Sequence, residues 1–129
     1  MTPKTPGRCV LASSADLTSD ELELASAAEA LERIRPALDG RMLLATDFDG
    51  TISRLDLDMW RSAVVPAAQR ALRSLAAADD THVAFISGRT VADLAGRVRV
   101  GRATYHGDHG AEWAAAERGF RPDRLRIEH

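Results

Sequence analysis

Apolar positions change period several times along this chain, and each change predicts an element. Leu24, Ala28, Leu31, Ile34 and Leu38 recur at helical spacing behind the capping-box-like start Thr18-Ser19-Asp20-Glu21. They predict an amphipathic helix running to about Asp39-Gly40, with Pro36 ending or bending it early. Met42-Leu43-Leu44-Ala45-Thr46 is a β-prone apolar run and predicts a buried strand that reaches Asp47. Pro66 suits the first turn of a second helix, whose stripe is Ala68, Leu72, Leu75 and Ala76 and which stops at Asp79-Asp80. His82-Val83-Ala84-Phe85-Ile86 predicts a second strand, and Val91, Leu94, Ala95 and Val98 form the inward face of a third helix. Ala103-Thr104-Tyr105-His106 predicts a third strand. Residues 1–18 read as a flexible lead with Pro3, Pro6 and Gly7. The stretch to Phe120 could start a hairpin, and the charged tail from Arg121 stays unassigned.

Strand, helix, strand, helix, strand with short connections is the pattern of an α/β unit with a parallel sheet and right-handed crossovers. The expected organisation is a lead over 1–18, a helical extension over 19–40 and a sheet-bearing core over 41–129, with about three strands and flanking helices. In such sheets the ligand crevice lies beyond the C-terminal ends of the strands. Asp47, Asp49, Ser87 and the segment His106–Glu112 all fall there.

At 129 residues the chain suffices for one domain, and 45% hydrophobic with 28% charged residues describes an ordinary globular protein. A formal charge of −2 argues against a nucleic-acid partner. Lone Cys9 cannot form an internal disulfide, and no long apolar span or export signal is visible, so no membrane association and a cytoplasmic location are expected. Lys4 is the only lysine.

The chemistry concentrates in Asp47-Phe48-Asp49-Gly50-Thr51. On an extended chain the acids at i and i+2 share a face while Phe48 points into packing. Gly50 permits a turn with positive φ, and Thr51 adds a hydroxyl and an amide. Two acids with exposed amides at a strand end suit a divalent cation and a phosphate. One carboxylate can attack phosphorus while the other exchanges a proton with the leaving group. A calcium loop would require further acids at alternate positions and a closing Glu, which Thr51-Ile52-Ser53-Arg54-Leu55 does not supply. An Asp-Gly hairpin turn is the other simple alternative. Asp56 and Asp58 read as solvated positions beside Leu55, Leu57 and Met59. Ser87-Gly88, between strand and helix, offers a hydroxyl and amides to phosphate oxygens, with Arg89 as a charged contact; a Ser cap before a Gly turn is the plainer alternative.

The string DFDGT behind an apolar strand resembles the first motif of the haloacid-dehalogenase (HAD) superfamily of phosphohydrolases. Ile86-Ser87-Gly88-Arg89 with Ala92-Asp93-Leu94 resembles the second motif of one branch, the trehalose-6-phosphate phosphatases. Gly107-Asp108-His109-Gly110-Ala111-Glu112 resembles that branch's Gly-x-His-Gly-x-Glu segment, and Trp113 extends the likeness. The resemblance runs from about Met42 to Trp113 and implies a Rossmann-like HAD core, incomplete here. It implies Mg²⁺-dependent hydrolysis of trehalose 6-phosphate through an aspartyl-phosphate, with Asp47 as nucleophile, Asp49 as general acid and base, and both at the metal. Phe48, Gly50, Thr51, Ser87 and Gly88 would hold phosphate, and Arg89, His109 and Glu112 would meet the substrate. Family members continue with a cap domain, a Lys motif and a Gly-Asp-Asp motif, none of which follows here, so the chain is expected to be the N-terminal part of a larger enzyme. The alternatives are an incomplete fragment acting as a sugar-phosphate-binding or interaction module, or a phosphatase for another sugar phosphate. The strands that the resembled fold adds beside Met42–Asp47 are also absent, which would leave an edge open to self-association.

Overall fold

The computed structural model describes residues 26–129. The helix start expected at Thr18–Glu21 lies outside the described residues. The chain divides into two units, Met1–Gly40 and Arg41–His129.

In the first unit, helix α1 spans Ala27–Ile34 behind Ser26. The Ser26 hydroxyl accepts from the Glu29 amide at 3.2 Å, and the Glu29 carboxylate accepts from the Ser26 amide at 2.9 Å. This capping box satisfies two amides that the first helical turn leaves unpaired. Pro36 cannot continue the ladder, and the chain tightens into a 3₁₀ turn over Arg35–Leu38. The apolar stripe Leu31, Ile34 and Leu38 is exposed.

The second unit holds strands β1 (Met42–Thr46), β2 (Thr81–Ile86), β3 (Ala103–Gly107) and β4 (Glu112–Ala115), with helices α2 (Pro66–Ala77) and α3 (Val91–Val98). The sheet order is β1-β2-β3-β4, so β1 is an edge. β1, β2 and β3 are parallel, with Leu44 opposite Val83 and Phe85 opposite Tyr105. This is the α/β architecture that the alternating pattern predicts. The count differs: a fourth strand runs antiparallel to β3, pairing Tyr105 with Ala114. Left-handed backbone at Asp108 (φ 49), His109 (φ 56) and Gly110 (φ 92) reverses the chain within a few residues. A return that tight can only produce an antiparallel neighbour.

One face of the sheet carries the core. Val83, Phe85, Tyr105 and Ala114 meet Leu72 and Ala76 of α2 and Leu94, Ala95 and Val98 of α3. The Phe85 and Tyr105 rings stack with centroids 5.1 Å apart. The opposite face presents Leu43, Ile86 and Trp113, which are 66%, 49% and 44% exposed. Both helices therefore lie on one side, as two successive crossovers of the same hand require.

Tyr105 anchors the bottom of this core. Its buried hydroxyl accepts from the Val100 amide at 2.8 Å and donates to the Val100 carbonyl at 2.7 Å, closing the turn between α3 and β3. Tyr105→Phe leaves both backbone groups buried and unpaired, an expected loss of about 1–3 kcal/mol. Urea unfolding of the two proteins checks this, and equal midpoints would show that the hydroxyl contributes nothing.

Candidate active site

Parallel pairing brings two loops together at the C-terminal ends of β1 and β2. Thr46 sits opposite Phe85, so Asp47 leaves the sheet beside the Ile86-Ser87 step. Asp47, Ser87, Gly88 and His109 line one cavity of about 540 Å³, floored by Thr46 and Ile86. Backbone bonds position the contributors. The Ser87 amide donates to the His106 carbonyl at 2.9 Å, and the His109 amide donates to the Ser87 carbonyl at 3.1 Å. The Ser87 hydroxyl accepts from the Arg89 amide at 3.0 Å, fixing the turn. Two glycines make this approach possible. A Cβ on Gly88 would lie 2.5 Å from Cε1 of His109, and one on Gly107 would lie 2.5 Å from the Val91 nitrogen. His109 thus rests its imidazole against Gly88 from a left-handed backbone.

Asp49 faces elsewhere. Its carboxylate accepts two bonds from Arg89, Nε to Oδ2 at 2.9 Å and Nη2 to Oδ1 at 2.8 Å. The same guanidinium reaches Asp93 Oδ2 at 2.9 Å and the Met59 carbonyl at 2.9 Å, and it lies 5.3 Å from the centroid of the buried Phe48 ring. Asp93 in turn accepts from Nε of Arg97, whose Nη1 donates to the carbonyls of Trp60 (3.1 Å) and Ser62 (2.6 Å). The ladder Asp49–Arg89–Asp93–Arg97 therefore ties both motifs to the loop before α2.

Arg89 is engaged within the protein: its side chain is 5% exposed, and four N–H bonds go to acceptors on Asp49, Asp93 and Met59. The Thr51 amide donates to the Phe48 carbonyl at 3.2 Å, and the Ile52 and Ser53 amides donate to the same carbonyl. Gly50 takes the expected positive φ, 78°, and a Cβ there would press on Leu55. Oε1 of Glu112 accepts from the Val91 amide at 2.6 Å and so caps the start of α3. Asp49, Phe48, Gly50, Thr51, Arg89 and Glu112 are not among the residues lining the Asp47 cavity. Asp93 and Arg97 join the two motifs; Asp93 stands i, i+4 from Arg89 and Arg97 stands i, i+4 from Asp93, a spacing that was the available sequence signal for the ladder.

The donor set bears on a metal. Asp47 presents an exposed carboxylate, the hard oxygen donor that Mg²⁺ takes singly or in pairs with water and substrate oxygens. Asp49 has both oxygens engaged by Arg89. Among the described residues no group of three or more His, Cys, Asp or Glu is gathered for a metal. The residues present fit a cation held through one carboxylate, Asp47.

The hydrogen bonds from Arg89 hold the Asp49 carboxyl below its ordinary value of 3.8; partial burial opposes them, and the charges of Arg89 and Arg97 add to them. A folded-state value below the unfolded one gives stability that is complete above 3.8 and lost as pH falls through the lowered value. Wild type should therefore exceed Asp49→Asn in stability at about pH 6, with the gap narrowing at more acidic pH. Urea unfolding at a series of pH values measures this, and a constant gap would remove the ion pair from the account.

A family model described as Trehalose-phosphatase matches residues 45–119. The trehalose-phosphate phosphatase of Mycobacterium leprae is 42% identical over 73 residues, covering 55% of this chain and 16% of that protein. That of Mycobacterium ulcerans is 37% identical over 95 residues, covering 74% of this chain and 24% of that protein. An Aspergillus fumigatus trehalose-6-phosphate phosphatase structure (crystal form 3) superposes with a TM-score of 0.61 at 24% identity, over 79% of this chain and 35% of the other. The chain spans a quarter or less of the length of these two bacterial relatives. No helix among the described residues is long and apolar enough to cross a membrane. The matched segment holds Asp47–Thr51, Ser87–Arg89 and His109–Glu112 and covers more than half of the sequence, so the chain belongs to the trehalose-phosphatase family.

Proposed function

We propose that the Asp47 cavity binds a sugar phosphate, trehalose 6-phosphate, and that its chemistry is phosphomonoester hydrolysis giving trehalose and phosphate. The observation that carries this reading is the convergence of Asp47 and Ser87 on one opening at the strand ends, within a trehalose-phosphatase segment. An Asp47 carboxylate oxygen attacks phosphorus, the bond from phosphorus to the sugar oxygen breaks, and an aspartyl-phosphate forms. The leaving oxygen takes a proton from Asp49, which then takes one from the water that hydrolyses the acyl phosphate. Arg89 keeps Asp49 ionised, so before it donates, that carboxylate must exchange away from the guanidinium and take up a proton from solvent. The Ser87 hydroxyl and the Gly88 amide hold phosphate oxygens, and His109 faces the sugar. Glu112 positions the His109 loop through α3 and keeps Oε2 for a sugar hydroxyl. A bound Mg²⁺ would offset charge on the phosphate, with Asp47 as the carboxylate placed to hold it.

A second reading is favoured by a specific feature. The sequence holds one lysine, Lys4, which lies outside the described residues, and among the described residues no lysine can meet the transferring phosphoryl group. One lost electrostatic donor costs about 10²–10³ in rate, so this chain by itself would bind sugar phosphate and turn it over slowly or not at all. The edge strand β1 offers the surface through which the chain would self-associate.

Phosphate release and calorimetric binding with trehalose 6-phosphate, each with and without Mg²⁺, separate the readings. Glucose 6-phosphate serves as the alternative sugar phosphate. We expect Mg²⁺-dependent release that Asp47→Asn reduces to background while sugar-phosphate binding persists. Binding without release in wild type selects the binding module. Full turnover by Asp47→Asn would refute the nucleophilic role.

A further inference from the structure

At the end of the sheet opposite Asp47, three arginines converge where no acid meets them. Arg73, Arg99 and Arg118 line a cavity of about 380 Å³ together with Gly101 and Phe120. Among the described residues none of the three is in an ion pair. The chain carries a formal charge of −2, so this concentration of positive charge is local and not a consequence of overall composition.

Backbone and an aromatic ring set two of the three in place. Arg73 donates from Nε (3.3 Å) and Nη2 (3.1 Å) to the Arg99 carbonyl, which fixes its fork across the end of α3. Arg99 adopts φ 55 and ψ 50, a left-handed conformation that glycine takes more cheaply, and its guanidinium lies 5.8 Å from the Phe120 ring centroid. Phe120 packs on Tyr105 with centroids 6.2 Å apart, and Tyr105 is bonded to Val100 through its hydroxyl. The segment carrying Arg118 is brought against the α3–β3 turn by backbone packing, since a Cβ on Gly101 would lie 2.5 Å from the Arg118 carbonyl oxygen. Capping of α3 by a basic side chain accounts for Arg73 alone. It does not account for Arg118, which comes from the segment after β4, or for keeping an arginine at the strained position 99.

We infer that the Arg73–Arg99–Arg118 cavity is a second ligand site, one that takes a compact polyanion of the phosphate or pyrophosphate class. Guanidinium forks match phosphate oxygens in paired bonds, and the Phe120 ring supports Arg99 from below. The site lies at the opposite end of the sheet from Asp47 and requires nothing of the chemistry proposed there.

Titration of the ¹⁵N-labelled full chain with inorganic pyrophosphate tests it, with NaCl at matched ionic strength as control. Saturable shifts are expected at the Gly101 and Phe120 amides. They should persist in Asp47→Asn and weaken about tenfold or more in affinity for each of Arg73→Gln and Arg118→Gln. Arg118→Gln alters an exposed side chain and keeps the test valid if Arg73→Gln loses its dispersed spectrum. Shifts that NaCl reproduces, that never saturate, or that survive Arg118→Gln unchanged would overturn the assignment.

Discussion

The structure turns on one buried guanidinium. Arg89 stands between the two motif loops, and its bonds to Asp49, Asp93 and the Met59 carbonyl draw three separate stretches of chain to one point. Removing one member of such a set leaves the others charged in a poorly solvated place, so the arrangement is held as a unit. It also decides which acid is available. Asp49 is oriented and kept ionised by the clamp, while Asp47 is left facing the cavity with Ser87 and His109. The different settings of two acids two residues apart therefore come from a residue forty positions beyond Asp49.

Much of this was legible in the sequence because the relevant forces are local. The apolar runs at Met42–Thr46 and His82–Ile86 became parallel strands, and Pro66 began its helix as its fixed φ allows. Gly50 took the positive φ that the turn required. What escaped the sequence depends on contacts between distant segments. The rule that i and i+2 share a face holds only while the chain is extended. β1 ends at Thr46, and the Phe48 carbonyl then gathers the amides of Thr51, Ile52 and Ser53 into a curl, so Asp49 is carried towards Arg89. Charge beside a Ser-Gly turn suggests a phosphate contact for Arg89, and only packing reveals its bonds to Asp49, Asp93 and Met59. β4 carries no β-branched residue, so its pairing was set by the reversal at Asp108–Gly110 and not by propensity. Among the described residues, helix α1 starts behind Ser26, whose capping box depends on the side chain three residues on.

The sheet also shows how a single layer of helices can position a site. α2 and α3 cover one face, and the interlocking of Phe85, Tyr105 and Leu94 beneath them fixes the heights at which β2 and β3 end. The cavity sits on that rigid floor, whereas its walls are loops joined by only a few backbone bonds. Such a division suits a site that must stay aligned while a carboxylate or an imidazole shifts over a fraction of its length.

The central claim is that Asp47 is the acid free to react and Asp49 the acid held in reserve. Identifying the phosphorylated side chain tests it most directly. A single exposure to trehalose 6-phosphate and Mg²⁺, followed by acid quench, borohydride reduction and peptide mass spectrometry, converts a trapped aspartyl-phosphate to homoserine. The account predicts homoserine at position 47. Homoserine at position 49, or at neither position, would contradict it.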